Sequence, residues 1–226
     1  MHMKVFIQSV LVNRNPPDLK LMQYQVGLHR AQRPFLTYTA RNPIIPILED
    51  YLDEAPAKVL ILRQTGSVGF ETNHHTLLEE FETLRTQRQA SGRPIQLTHQ
   101  DILFEDSAER ASYDLLLRSI LHAVSPGDEL YLDFTFGGVL LKRTLDKAAL
   151  FLTRVYDCAV MVEAYCESAF VSESLRDDSS EHADVRKGVL MDIRYFSLYD
   201  RFIQSLSAMG LPPGKALETF CHMLQE

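Results

Sequence analysis

The sequence predicts an α/β domain of the doubly wound kind: a Rossmann-like, mostly parallel sheet of about six strands with helices on both faces. Three observations predict it: short, nearly continuous apolar runs, longer segments of helical apolar spacing between them, and Gly- and Pro-containing breaks at the junctions. An apolar run without polar alternation is what a strand buried on both faces requires. Strands alternating with helices make βαβ units, whose right-handed crossovers lay parallel strands side by side.

The first strand, Lys4–Val12, leads into Asn13-Arg14-Asn15-Pro16-Pro17. Ile44–Leu52 follows the start signal Asn42-Pro43 and reads as a short helix. Lys58–Leu62 is the second strand, with Arg63-Gln64-Thr65-Gly66-Ser67-Val68-Gly69 after it. Asn73–Arg88 carries Leu77, Leu78, Phe81 and Leu84 on one helical stripe, and Ile95–Leu97 is a weaker strand. Asp106–Val124 opens on a capping-box pattern, Asp106 with Glu109, and spaces Leu116, Leu117, Ile120, Leu121 and Val124 as a helix. Ser125-Pro126-Gly127-Asp128 breaks that helix before the strand Leu130–Phe134 and the helix Gly138–Tyr156.

The ending departs from the alternation. Ala159–Ala164 and Val189–Ile193 read as strands, but the connection Ser172–Lys187 is polar and lacks an apolar stripe. Such a connection suits an antiparallel C-terminal hairpin strand at the sheet edge. Two helices follow, Leu198–Met209 and Gly214–Leu224, joined by Gly210-Leu-Pro-Pro213. The expected organisation is a Rossmann-like domain over residues 1–205 and a short helical extension over 206–226.

Composition narrows the function classes. A net charge of −7 argues against long nucleic acids, whose phosphate backbones select basic surfaces. A small anion remains possible, because backbone amides and a few placed cations bind phosphate locally. No apolar run approaches the ~20 residues that cross a bilayer, and Met1-His2-Met3-Lys4 does not begin a secretory signal. The expectation is a cytoplasmic protein without membrane association. Cys158, Cys166 and Cys221 are odd in number and widely spaced in apolar stretches, which suits buried reduced thiols. The eight histidines form no metal-ligand pattern, and His74-His75 at a helix start suits solvated or capping side chains. No metal and no cofactor is implied.

In an open parallel sheet, ligands bind outside the carboxyl ends of the strands. The turns after the first, second and Leu130–Phe134 strands are all rich in small, hydroxyl or amide residues. The third is the most informative. Thr135-Phe136-Gly137-Gly138 leads into a helix, so free amides and the positive end of the helix dipole meet where glycine permits close approach. Two readings stand for the glycines: a ligand cradle, or simply a tight strand-to-helix turn. Neither a GxGxxG fingerprint nor a P-loop is present.

Asp133-Phe-Thr-Phe-Gly-Gly138, ending an apolar strand and opening a long helix, resembles the Asp-x-Thr-x-Gly signature of CARF domains, the CRISPR-associated Rossmann-like domains of type III systems. The first strand ending in Ser9-Val-Leu-Val-Asn-Arg-Asn15, the second ending in Thr65-Gly-Ser67, and Val189-Leu-Met-Asp-Ile193 before an aromatic-containing helix extend the resemblance over about residues 4–205. It implies a homodimer whose joint pocket binds cyclic oligoadenylate. Carried over by motif, Ser9, Asn13, Arg14, Asn15, Thr65, Gly66, Ser67, Thr135, Phe136, Gly137 and Gly138 line the ligand. Two departures are visible: the first turn lacks the family's glycines, and Lys142-Arg143 stand one helical turn beyond the Thr-x-Gly turn. Those two cations either point into the dimer groove or are solvated.

Nuclease domains that accompany many relatives find no place in this sequence. Arg176 and His182 have the spacing of a HEPN ribonuclease pair, but in an acidic, Ser-rich loop, and Arg118 and His122 are one residue too close. A stand-alone sensor implies either a ring nuclease that cleaves its own messenger or a non-catalytic regulator acting through a partner. For cleavage the candidates are Ser9, Arg14, Lys142 and Arg143. Outside the family, a small enzyme acting on a phosphorylated metabolite, or a structural module, remain open. The resemblance predicts that Arg14→Ala weakens cyclic oligoadenylate binding by about 1–3 kcal/mol through loss of charge-assisted hydrogen bonds. Calorimetry with cyclic tetra- and hexa-adenylate checks it, and unchanged affinity removes the first turn from the site.

Overall fold

The apolar run that opens the chain becomes the centre of the sheet. β1 (Lys4–Ser9) lies between β4 (Ala57–Gln64) and β6 (Glu129–Asp133), parallel to both. Its residues enter two cores alternately, Phe6 and Val10 on one face, Val5 and Ile7 on the other. Burial on both faces is why the run shows no polar alternation. β5 (Leu97–Phe104) adds to β4, and β7 (Ala159–Ser168) to β6, again parallel. β8 (Arg186–Asp192) pairs antiparallel with β7, as the polar connection before it predicts.

The computed structural model describes residues 2–10, 21–27, 36–66, 70–105, 109–168 and 186–223. Within them the sheet has eight strands in the order β3-β2-β8-β7-β6-β1-β4-β5. The two strands beyond the predicted six form a hairpin, β2 (Met22–Gly27) with β3 (Leu36–Ala40), and β2 runs parallel to β8. β8 is therefore an interior strand, not the expected edge. Alternating polar residues hide the hairpin from a search for apolar runs: Gln23, Gln25, Thr37 and Thr39 punctuate it.

Helices α1 (Ile44–Tyr51) and α2 (Phe70–Ala90) cover the Phe6 face, burying Ile44, Ile47, Leu48, Leu77, Phe81 and Leu84. α3 (Arg110–Ala123) and α4 (Val139–Val155) cover the other with Leu116, Ile120, Leu141, Leu145 and Leu152. Each such side chain contributes about 1.5–3 kcal/mol by leaving water. The architecture is therefore α/β, Rossmann-like, with helices on both faces.

Some boundaries differ from expectation for local reasons. β5 starts where the weak strand Ile95–Leu97 was expected to end. It is an edge strand of the described sheet, with Thr98, His99 and Gln100 exposed, so its apolar signal is diluted. α3 begins after Glu109 with no side-chain cap, and Asp106 of the expected capping box lies outside the described residues. Cys158 and Cys166 are buried as expected, whereas Cys221 is exposed.

α5 (Arg194–Ala208) packs on β7, where Ser197 Oγ donates to both Glu163 carboxylate oxygens at 2.8 and 2.7 Å. α6 (Pro213–Met223) leans on α5 through Phe220 against Tyr199 and Phe202. Among the described residues no helix is long and apolar enough to cross a membrane.

The hairpin docks over a glycine. Tyr24, fully buried in β2, is the register partner of Gly188 in β8. A Cβ on Gly188 would stand 2.8 Å from Met22 Cε and 2.9 Å from Cys166 Sγ. Gly188→Val should therefore lower stability by about 1–3 kcal/mol through overpacking, read as the urea midpoint. An unchanged midpoint would mean that the hairpin does not depend on this close approach.

Candidate functional site at the carboxyl edge of the central strands

β1 pairs with β4 and then β5 on one side, and with β6 and then β7 on the other. The crossovers reverse direction here, so the carboxyl ends of β1 and β6 flank the opening where doubly wound sheets take their ligands. Ser9 ends β1, and Asp133 ends β6.

The turn after β6 is pinned by its own hydrogen bonds. The Phe134 amide donates to the Ala164 carbonyl at 2.8 Å, and the Cys166 amide donates to Thr135 Oγ1 at 3.0 Å, tying the turn to β7. The Thr135 amide donates to Asp133 Oδ1 at 2.8 Å. Gly137 then takes a φ of +96°, and a Cβ there would lie 2.4 Å from Leu141 Cδ2, so only glycine fits. Gly138, by contrast, has a φ of −70° and faces open space.

α4 starts at this turn without a side-chain cap and without an acidic residue in its first turn. Its first helical bond runs from the Lys142 amide to the Gly138 carbonyl at 3.1 Å, which leaves the preceding amides without helical partners. The positive end of the helix is thus unneutralised on the open side of Gly138. A second group marks the same place. Ser9 is 4% exposed, its Oγ has no hydrogen-bond partner, and it sits 3.3 Å from where a Gly137 Cβ would stand.

Lys142 folds back over the turn. Its Nζ donates to the Thr135 carbonyl at 3.4 Å and stands 5.0 Å from the centre of the Tyr165 ring. Burial pulls this ammonium below the ordinary lysine range, and Asp133 opposes the shift. Lys142 is therefore part-buried against its own chain, at the Thr135 carbonyl and the Tyr165 ring, rather than freely solvated. Arg143 is exposed and belongs elsewhere, lining with Arg110, Tyr113 and Lys147 a groove of about 430 Å³ between α3 and α4.

The structure therefore brings together Ser9, Thr135, Gly137, Gly138 and Lys142, with Phe136 half-buried in the same turn. Thr65 and Gly66 end β4, one strand away, where the Thr65 hydroxyl and amide both donate to the Phe104 carbonyl of β5. Asn13, Arg14, Asn15 and Ser67 lie outside the described residues, as do Arg176 and His182.

Gln8 escaped the sequence reading, and Asp133 entered it only as the first letter of the Asp-x-Thr-x-Gly motif, without a role. Gln8 has no exposed surface and both of its amide atoms lack partners. Asp133 is nearly as buried; desolvation pushes its carboxyl up to about 6, against the Thr135 hydrogen bonds and Lys142. A polar pair interrupting the apolar run, Gln8-Ser9, was the available signal for the first. His74, expected as solvated or capping, is instead buried within α2, with Nε2 3.1 Å from Asp101 Oδ1, and Arg63 pairs with that carboxylate and with Glu71. This network braces the start of α2. Among the described residues no group of His, Cys, Asp and Glu is arranged to hold a metal ion.

The two glycines of the turn should separate by mutation. Gly137→Ala should cost about 1–3 kcal/mol, from the left-handed backbone and the Leu141 contact, while Gly138→Ala should stay within roughly 0.5 kcal/mol of the parent. Thermal melts of both variants check this, and equal effects would contradict the turn geometry.

Compared with known protein families and with curated proteins, the chain matches none.

Proposed function

We propose that this chain is a homodimeric cyclic oligoadenylate-binding protein of type III CRISPR antiviral signalling, and that it cleaves the ring it binds. The observation that carries the reading is the buried, unpartnered Ser9 hydroxyl beside Gly137, at the uncapped start of α4. A phosphodiester there would accept from the Ser9 hydroxyl and the free amides, with the Lys142 ammonium close by. The resemblance of Asp133–Gly138 to the CARF signature supplies the ligand class.

Cleavage on this reading uses the ring's own ribose. The 2′-oxygen attacks phosphorus, the P–O5′ bond breaks, and the proton of the 2′-hydroxyl ends on the released 5′-oxygen. The products are linear, with a 2′,3′-cyclic phosphate at one end and a 5′-hydroxyl at the other. The protein's work is to hold the 2′-oxygen in line and to stabilise the charge that gathers on the phosphoryl oxygens. On this reading Lys142 and the α4 amides would serve the second task and Ser9 the first, with Arg14 a further candidate from the sequence after β1. The reading puts the chain in the cytoplasm, where its free cysteines stay reduced.

A second reading keeps the ligand but not the cleavage: a sensor that acts on a partner through its terminal helices. The exposed Tyr195, Phe196, Leu198 and Ile203 on α5 favour it. Incubation with cyclic tetra- and hexa-adenylate, with and without chelator, separates the two. Linear products with 2′,3′-cyclic phosphate ends are expected, and Lys142→Ala should lower turnover by about 10²–10³-fold. Binding without turnover would leave the sensor, and binding of neither ring would overturn both.

A further inference from the structure

Besides Ser9, two deeply buried polar side chains stand at the ends of the central strands, Gln8 and Asp133, and each is incompletely satisfied. Both Gln8 amide atoms lack partners, as does Asp133 Oδ2, while Asp133 Oδ1 accepts the Thr135 amide. The parallel pairing of β1 with β6 runs from Lys4↔Glu129 to Ile7↔Leu132, and Gln8 and Asp133 are the next residues along the two strands. Both alternate onto the face that carries Phe6, Val10 and Tyr131. Adjacent strands about 4.8 Å apart bring two such side chains within reach. A carboxylate oxygen only accepts, and so does the Gln8 amide oxygen. One proton on Asp133 Oδ2 makes it a donor to that oxygen and gives two orphaned atoms a partner at once.

The charges around Asp133 do not supply that partner. Lys142 of α4 faces it but bonds the Thr135 carbonyl. Tyr24 of β2 faces it from the hairpin and donates to the Arg41 carbonyl at 3.2 Å. Glu80 of α2 and Cys166 of β7 act on the same Tyr24 phenol, and Glu80 is held by the Arg41 amide, by Asn42 and by the nearby Arg41 charge. Two carboxyl groups thus border this pocket of the core, while the turn above it is the one offered to an anion.

We propose that Asp133 is the proton-linked position of the anion site: an anion at the Thr135–Gly138 turn and a proton shared between Asp133 and Gln8 are taken up together. The proposal rests on the ligand reading above for its anion. Its physical basis is like-charge repulsion. A phosphodiester at the turn lies close to a carboxylate that already binds one of the turn's amides, in surroundings too dry to screen the two charges. Protonation removes the repulsion and gives Asp133 Oδ2 and the Gln8 amide oxygen a shared hydrogen bond. Burial outweighs the Thr135 hydrogen bonds and Lys142 and holds the carboxyl at about 6, and a nearby anion raises it further.

The probes are cyclic tetra- and hexa-adenylate, whose phosphodiesters keep their charge across that range. Affinity measured from about pH 5.5 to 8.5 should be level below about 6 and fall by up to tenfold per pH unit above it. Asp133→Asn should abolish the fall, because an amide nitrogen donates to Gln8 at every pH. A ring that binds equally at all pH values, or whose pH slope survives in Asp133→Asn, overturns the inference and leaves the ligand reading standing. If neither ring binds at any pH, the ligand reading falls, and the carboxyl is judged by its carbon NMR titration in the unmodified protein. There a midpoint near about 4, the ordinary aspartate value, overturns the proton site, and one near about 6 upholds it.

Discussion

The burial of β1 on both faces is the constraint on which the rest of the molecule depends. A strand with neighbours on both sides and helices above and below must satisfy its backbone in the sheet and fill both cores from one alternating run. Val5, Phe6 and Ile7 do so with no exposed surface. Because the chain returns to β1 from opposite directions, through β4 and through β6, the carboxyl end of this strand is also where no crossover helix closes the sheet. A strand packed on both faces and the opening at the sheet's switch point thus belong to the same six residues.

That coincidence explains the polar residues at the end of the run. Burying an amide or hydroxyl without a partner costs roughly 1–3 kcal/mol, so Gln8 and Ser9 in succession weaken the strand they complete. They alternate to opposite faces, Ser9 toward Gly137 and the start of α4, Gln8 onto the face of Phe6 and Val10. A purely structural strand would have carried apolar residues at both positions. Polar groups that are buried, unsatisfied and gathered at the carboxyl edge of the sheet are what the proposed ligand would partner.

The fold was legible because its central strands obey one rule. Continuous apolar runs marked β1, β4, β6 and β7, and helical stripes marked the helices that cover them. The hairpin was not legible for a complementary reason. Tyr24 and Val26 face the core while Gln23 and Gln25 do not, a pattern too short to stand out, and its docking depends on Gly188, more than 160 positions away. Of the candidate site, the Thr135–Gly138 turn was legible because a strand followed by two glycines and a helix has few geometric solutions. That Lys142 folds inward while Arg143 turns away was not, since adjacent helical residues differ by about 100° in direction and only the packing of α4 says which one faces the turn.

The turn carries two opposed electrostatic features. On the proposed reading the uncapped α4 terminus and Lys142 would attract an anion, and an ionised Asp133 beneath them would repel it. In water the repulsion would be weak, but Asp133 is almost fully buried and its charge is not screened. The protein could have removed the conflict with asparagine, which keeps the hydrogen bond from the Thr135 amide and needs no proton. Retaining a carboxyl there makes the strength of the anion site depend on its protonation state. The buried Gln8 amide oxygen, which accepts from the protonated form, gives that form a partner inside the core.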